Sequence, residues 1–252
     1  MMIDTHCHLS SSDYTNLELV IKNMENNIII VSGCNSKTNH EVINMCNKYN
    51  NVYGTLGIHP EEVDSATEED LEFIESNLTN PKIVAVGEIG LDYHWNKENK
   101  DLQKLWFEKQ LALAKKYQMS VVVHSRDAIQ DTYDILKTSD VKKIDIHCYS
   151  SSLEMAYKFI DLGARLGIGG VVTFKNSEKL KDVVRCIDLK YLLLETDSPY
   201  LAPEPFRGKQ NEPYNIKYVA EKIAELKNIS VEEVFKITTM NAIDQFDLKV
   251  NL

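Results

Sequence analysis

The chain has 252 residues, 43% of them hydrophobic and 26% charged, which is ordinary for a globular protein with a large core. A net charge of −10 argues against a broad basic groove for long nucleic acid and leaves room for a local pocket. Its apolar runs are too short to span a bilayer, and its five cysteines, odd in number and without a C-x-x-C, exclude a disulfide framework.

In chain order, eight short β-rich runs alternate with amphipathic stretches. The expected strands are 2–5, 28–31, 52–57, 83–87, 120–123, 143–146, 164–168 and 192–196. Several are continuously apolar, as expected for parallel strands covered on both faces. Thr67, with Asp70 three residues on, reads as the capped start of a helix. Leu102, Leu105, Trp106, Leu111, Leu113 and Tyr117 form a broad helical stripe. Two short helical patterns, 230–237 and 241–246, close the chain. This rhythm predicts a single α/β domain over 1–252, a TIM (β/α)₈ barrel with extra C-terminal helices. The rival doubly wound sheet usually has a glycine-rich first turn, and the first turn here, from His6 to Ser11, has no glycine. The polar start shows no secretory signal, and with reduced thiols this points to the cytoplasm.

Six candidate metal ligands fall at strand ends: His6, His8, Glu88, His124, His147 and Asp197. The C-terminal ends of barrel strands gather on one face, so residues distant in sequence meet there. In H-x-H, alternation turns His6 and His8 inward together and Cys7 away. A pair of this kind is weak evidence alone. Four of the seven histidines at strand ends, with two carboxylates, make a stronger pattern that suits borderline divalent ions. Six ligands exceed the three that a zinc-like catalytic ion needs, and Glu88 has two oxygens with which to bridge two ions. Two divalent cations against two carboxylates leave positive charge, which attracts phosphate and acidifies a bridging water.

The phrases D-T-H-C-H-L (4–9), G-I-H-P (57–60), V-G-E-I-G-L-D-Y (86–93), V-V-H-S-R-D-A (122–128), I-H-C-Y-S-S-S (146–152), G-G-V-V-T-F-K (169–175), L-L-E-T-D-S-P-Y-L-A-P (193–203) and R-G-K-Q-N-E-P (207–213) resemble the TatD family. The resemblance runs from residue 4 to about 246 and implies a metal-dependent barrel hydrolase related to amidohydrolases. It implies that His6, His8, Glu88 and Asp197 hold one ion and that Glu88, His124 and His147 hold the other. Glu88 stands where the wider superfamily often carries a modified lysine. The implied activity is 3′-to-5′ trimming of DNA with Mg²⁺ or another divalent ion. One branch is associated with removal of D-amino acids from tRNA.

The metal is left open among Mg²⁺, Zn²⁺ and Mn²⁺. Asp197 is expected to be both ligand and catalytic base. Substrate contacts are expected from His59, Arg126 and Arg207, with Lys209 a further candidate; the structural alternatives are a loop histidine capped by Pro60, an Arg126 that braces a carboxylate ligand, and an Arg207 and Lys209 that tie their loop down through Glu204 or Glu212. Glu195 is expected to be a buried, hydrogen-bonded or Arg-paired carboxylate. Asp92 and Tyr93 are placed in the loop after the Glu88 strand, His94, Trp95 and Trp106 in packing or loop roles, and His40 in solvent. No exposed aromatic series marks a long platform for single strands. Ester or amide hydrolysis, including aminoacyl-tRNA deacylation, competes for the same site. A metal-binding barrel without turnover is the reading from another class.

Overall fold

The computed structural model describes residues 1–250; residues 251 and 252 of the expected domain lie outside the described residues. Eight parallel strands hydrogen-bond in sequence order. They are β1 (Ile3–Cys7), β2 (Ile28–Ser32), β3 (Val52–Leu56), β4 (Ile83–Asp92), β5 (Ser120–Arg126), β6 (Ile144–Ile146), β7 (Ala164–Ile168) and β8 (Leu192–Leu194). The segment after β8 returns to β1: the Asp197 N–H donates to the His6 carbonyl at 3.0 Å and the His8 N–H to the Ser198 carbonyl at 2.6 Å. The Thr5 hydroxyl donates to the Leu194 carbonyl at 3.0 Å. The result is a nearly closed TIM barrel.

Helices α1 (Leu17–Lys22), α2 (Ser36–Lys48), α3 (Glu68–Asn77), α4 (Lys100–Tyr117), α5 (Ile129–Ser139), α6 (Leu153–Asp161) and α7 (Glu178–Cys186) return the chain between successive strands. Thr67 and Asp70 form the expected reciprocal cap of α3. After β8 come α8 (Ile216–Lys227) and α9 (Val231–Phe246). The two closing helical patterns are one helix, because 238–240 contain neither Pro nor Gly and Thr238 and Thr239 are buried along it.

Alternation along the strands divides the core in two. Val121 and Val123 pack outward with the helices, whereas Val122 joins an inner cluster with Ile28, Ile30, Val84, Leu193, Phe246 and Leu248. The end of α9 closes the bottom of the barrel here. Ser120, the first residue of β5, donates to the Gln245 carbonyl, and Arg165, near the start of β7, pairs with Asp244 at 2.6 Å. The opposite mouth is left for polar residues.

Strand irregularities set which side chains reach that mouth. Ile3 packs with the inner cluster and Cys7 with the outer one, although a regular strand would put both on one face. The β1–β2 register slips between Asp4 and Cys7, and the slip reverses the parity and so leaves His6 inside. A second slip, between Val86 and Ile89 against β5, brackets Glu88. Consequently β4 does not stop at Gly87 but runs on to Asp92, which is a strand residue paired with Arg126.

Candidate metal centre

Glu88 lies at the centre of the mouth with only 2% of its surface exposed, and its two oxygens face different partners. Oε2 lies 3.5 Å from His6 Nε2 and 3.4 Å from His8 Nε2. Asp197 Oδ1 is 3.6 Å from each of the same two nitrogens, which are themselves 3.1 Å apart. Oε1 lies 3.0 Å from His124 Nδ1, 3.2 Å from His147 Nε2 and 3.5 Å from His59 Nε2.

Donor spacing tests whether such a set fits an ion. Ligand bonds of about 2.1 Å in a tetrahedral site put neighbouring donors about 3.4 Å apart. The spacings here run from 3.0 to 3.6 Å. Imidazole and carboxylate donors of this kind suit borderline divalent ions. The residues fit a divalent metal.

Three of the outward ring nitrogens are held as well. His8 Nδ1 donates to the Ser32 carbonyl at 3.2 Å, and His6 Nδ1 meets the Ser32 hydroxyl at 3.1 Å. His124 Nε2 donates to Asp92 Oδ2 at 2.9 Å, whereas His147 Nδ1 lies 3.5 Å from Glu195 Oε1 and has no hydrogen-bond partner among the described residues. Carboxylate and carbonyl partners fix the tautomer and direct the free lone pair at the site. His59 is the exception: its Nδ1 accepts the Glu61 N–H at 3.2 Å, so the neutral ring carries its proton on Nε2, facing Glu88.

The electrostatics follow from this packing. Burial pushes the Glu88 carboxyl up, but the imidazoles of His147, His59 and His6 and the His124 hydrogen bond outweigh it and hold it well below the usual range. For His147, burial is outweighed by Glu88 and Glu195, which push it well above the ordinary value. His124 rises in the same way, through Asp92 and Glu88. His6 falls well below, first through burial and then through the neighbouring His147. Asp92 is held at about 2: burial raises it and the His124 contact lowers it further.

The structure thus brings together all six expected ligand residues and adds His59. Glu195 is buried, as expected, with no Arg partner among the described residues; it accepts the Cys148 N–H at 2.7 Å and lies beneath His147. Gly167 makes room for it, since a Cβ there would lie 2.2 Å from Glu195 Oε2. Arg126 and Arg207 are exposed, with guanidinium carbons 5.3 Å from the Trp95 ring and 4.3 Å from the Phe174 ring. Lys209 is exposed near Phe206. Tyr93 is packed, its hydroxyl donating to Asp131 at 2.8 Å, and Trp106 is buried. His40 is exposed and stacks on Phe73. Cys7 faces the outer core.

Two neighbours of the centre escaped the sequence reading. Asp92 lies beyond the expected end of its strand, and its contact with His124 shows that it faces the site. Cys34, after β2, has Sγ 3.7 Å from His8 Nδ1 and 3.8 Å from Glu88 Oε2. No spacing signal pointed to it.

A parallel barrel with imidazoles and carboxylates converging at the C-terminal mouth defines the class of metal-dependent hydrolases. Comparison with known proteins narrows this. Residues 3–247 match the family model described as TatD related DNase, and the chain belongs to that family. It is 44% identical over 248 residues to the uncharacterized metal-dependent hydrolase YabD of Bacillus subtilis, covering 96% of this chain and 97% of that one. The uncharacterized metal-dependent hydrolase YcfH of Escherichia coli K12 is 35% identical, with 95% and 93% covered. Among solved structures, YjjV, a TatD homolog from E. coli K12, superposes with a TM-score of 0.92 at 30% identity over 98% of both chains. The chain is accordingly a metal-dependent hydrolase of the TatD family. No helix among the described residues is long and apolar enough to cross a membrane.

Proposed function

We propose that the protein hydrolyses phosphodiester bonds at the 3′ end of DNA, as a 3′-to-5′ exodeoxyribonuclease holding two divalent ions. The observation that carries this reading is the division of Glu88 between two sets of imidazoles: Oε2 toward His6 and His8, Oε1 toward His124 and His147. Glu88 and Asp197 with His6 and His8 would hold one ion, and Glu88 with His124 and His147 the other. Bound divalent ions supply a water of lowered pKa and neutralise charge on both the attacking and the leaving oxygen.

The side chains do the rest. Asp197 takes the proton of the attacking water at its carboxylate and orients that water. His59 donates from Nε2 to a phosphate or leaving-group oxygen, the role its tautomer favours over ligation. Arg126 and Arg207, exposed cations at the rim, meet flanking phosphates. The five free cysteines support a cytoplasmic setting.

The net charge of −10 favours a second reading, in which the same residues hydrolyse an ester or amide of a small or end-on substrate such as an aminoacyl-tRNA. One assay separates them. Oligonucleotides labelled at the 3′ or 5′ end are incubated with Mg²⁺, Mn²⁺ or Zn²⁺, beside D-aminoacyl-tRNA, with Glu88→Ala as control. Stepwise loss of the 3′ label, absent in the control, is expected. Inert oligonucleotides with deacylated tRNA would establish the second reading. Asp197→Asn is expected to fold and lose most activity; full activity would remove Asp197 as base.

A further inference from the structure

Among the described residues, the two most exposed large apolar side chains are Trp95, at 65%, and Tyr200, at 59%. Both are at the mouth of the barrel. Scattered exposed aromatics are ordinary; a pair that flanks a metal centre is not explained by folding. Each is tied to one side of Glu88. The Tyr200 ring lies 6.2 Å from that of His8, which faces Oε2. Trp95 is tied to His124, which faces Oε1, through one carboxylate: Asp92 Oδ2 receives His124 Nε2, and Asp92 Oδ1 accepts the N–H groups of His94 at 2.8 Å and Trp95 at 3.2 Å. The turn that presents the indole is thereby fixed by a ligand's own partner.

Charge supports the same reading. The Arg126 guanidinium lies 5.3 Å from the Trp95 ring centroid and is in no ion pair among the described residues. The His94 ring meets the indole edge-on at 4.7 Å, yet Trp95 stays 65% exposed, and the cation beside it supplies a partner for an adjacent phosphate. Tyr200 is held at its base, where its N–H donates to the Asp197 carbonyl at 2.8 Å, and beyond the edge contact with His8 it is 59% exposed.

We propose that Trp95 and Tyr200 are two base-stacking subsites on opposite sides of the scissile phosphodiester, so that the substrate must present an unpaired base on each side of the bond. The inference rests on the nuclease reading and assigns to these two residues the grip on the two nucleotides that flank the bond. Stacking on an aromatic face tolerates any base, because every base has a π-face, and the contact is to the base and not to the phosphate charge. It therefore reconciles an acidic protein with a polyanionic substrate.

The test uses the metal-loaded enzyme and short oligonucleotides in which a tetrahydrofuran spacer replaces the terminal or the penultimate nucleoside. In the unmodified protein, each base removal is expected to lower kcat/KM at least about fivefold, the lower end for base–aromatic stacking, mainly through KM. Trp95→Ala is expected to lose the penalty at one position and keep it at the other; Tyr200→Ala should show the reverse. Trp95→Phe, which keeps an aromatic face, is expected to restore the penalty. With Trp106 buried, quenching of tryptophan emission by an oligonucleotide reports Trp95 and should vanish in Trp95→Phe. Cleavage indifferent to both spacers, or variants that keep both penalties, would overturn the stacking subsites while leaving the nuclease reading intact. Failure of every metal-loaded oligonucleotide reaction would overturn both.

Discussion

Asp92 Oδ2 lies 2.9 Å from the outer nitrogen of His124, whose inner nitrogen lies 3.0 Å from Glu88 Oε1. The imidazole is clamped between two carboxylates, one on the site and one behind it. An amide in place of Asp92 offers an N–H or a neutral oxygen, and the tautomer of His124 is no longer fixed. Asp92→Asn is expected to weaken metal affinity about 10- to 100-fold, measured by titration calorimetry with Mn²⁺ or Zn²⁺. Affinity equal to the unmodified protein would remove Asp92 from the support of the site.

His59 differs from the other four imidazoles because its Nδ1 accepts a backbone N–H. His59→Gln should leave metal content intact and reduce kcat by roughly 10²–10⁴. Loss of a metal ion from this variant would mark His59 as a ligand.

Protons and metal compete for the same nitrogens. In the metal-free protein, burial works against protonation of His124 and His147, but their carboxylate neighbours win and raise both above 6.5. Protonated rings therefore stabilise the metal-free fold fully below the unfolded value of 6.5, and that contribution is lost as pH rises through the raised values. Metal affinity moves the opposite way, increasing across the same window. Thermal melts with and without Mn²⁺ between acid and mildly alkaline pH should show the gain from metal growing with pH. A gain that is constant with pH contradicts the linkage.

Gly167 makes room for Glu195 under His147. A methyl group there meets Glu195 Oε2 at 2.2 Å and the His147 Cα at 3.1 Å, in a part of the barrel with little space to give. Gly167→Ala is expected to cost about 1–3 kcal/mol and to loosen His147. A lowered Tm together with weaker metal binding is the expected result; an unchanged melt would show that Glu195 moves freely.

The two halves of the site were legible to different degrees. Side-chain chemistry and period marked His6, His8, Glu88, His124, His147 and Asp197, because a parallel barrel sends strand ends to one face whatever the loops do. Less visible was what depends on strand irregularity. Asp92 was hidden because the end of β4 is set by pairing with β5 and not by its own composition. Cys34 was hidden because its nearness to His8 and Glu88 joins segments far apart in sequence.

What the sequence alone determined about this protein is the barrel rhythm, the set of metal-binding residue types and the family they resemble. Those follow from local periodicity and from residue chemistry, which each stretch carries by itself. Only the tertiary structure decided that Glu88 faces two sets of imidazoles, that His59 turns Nε2 toward Glu88, and that Trp95 and Tyr200 are left exposed. These depend on two register slips and on the closure of β8 against β1, where one residue more or less in a strand turns a side chain to the other face.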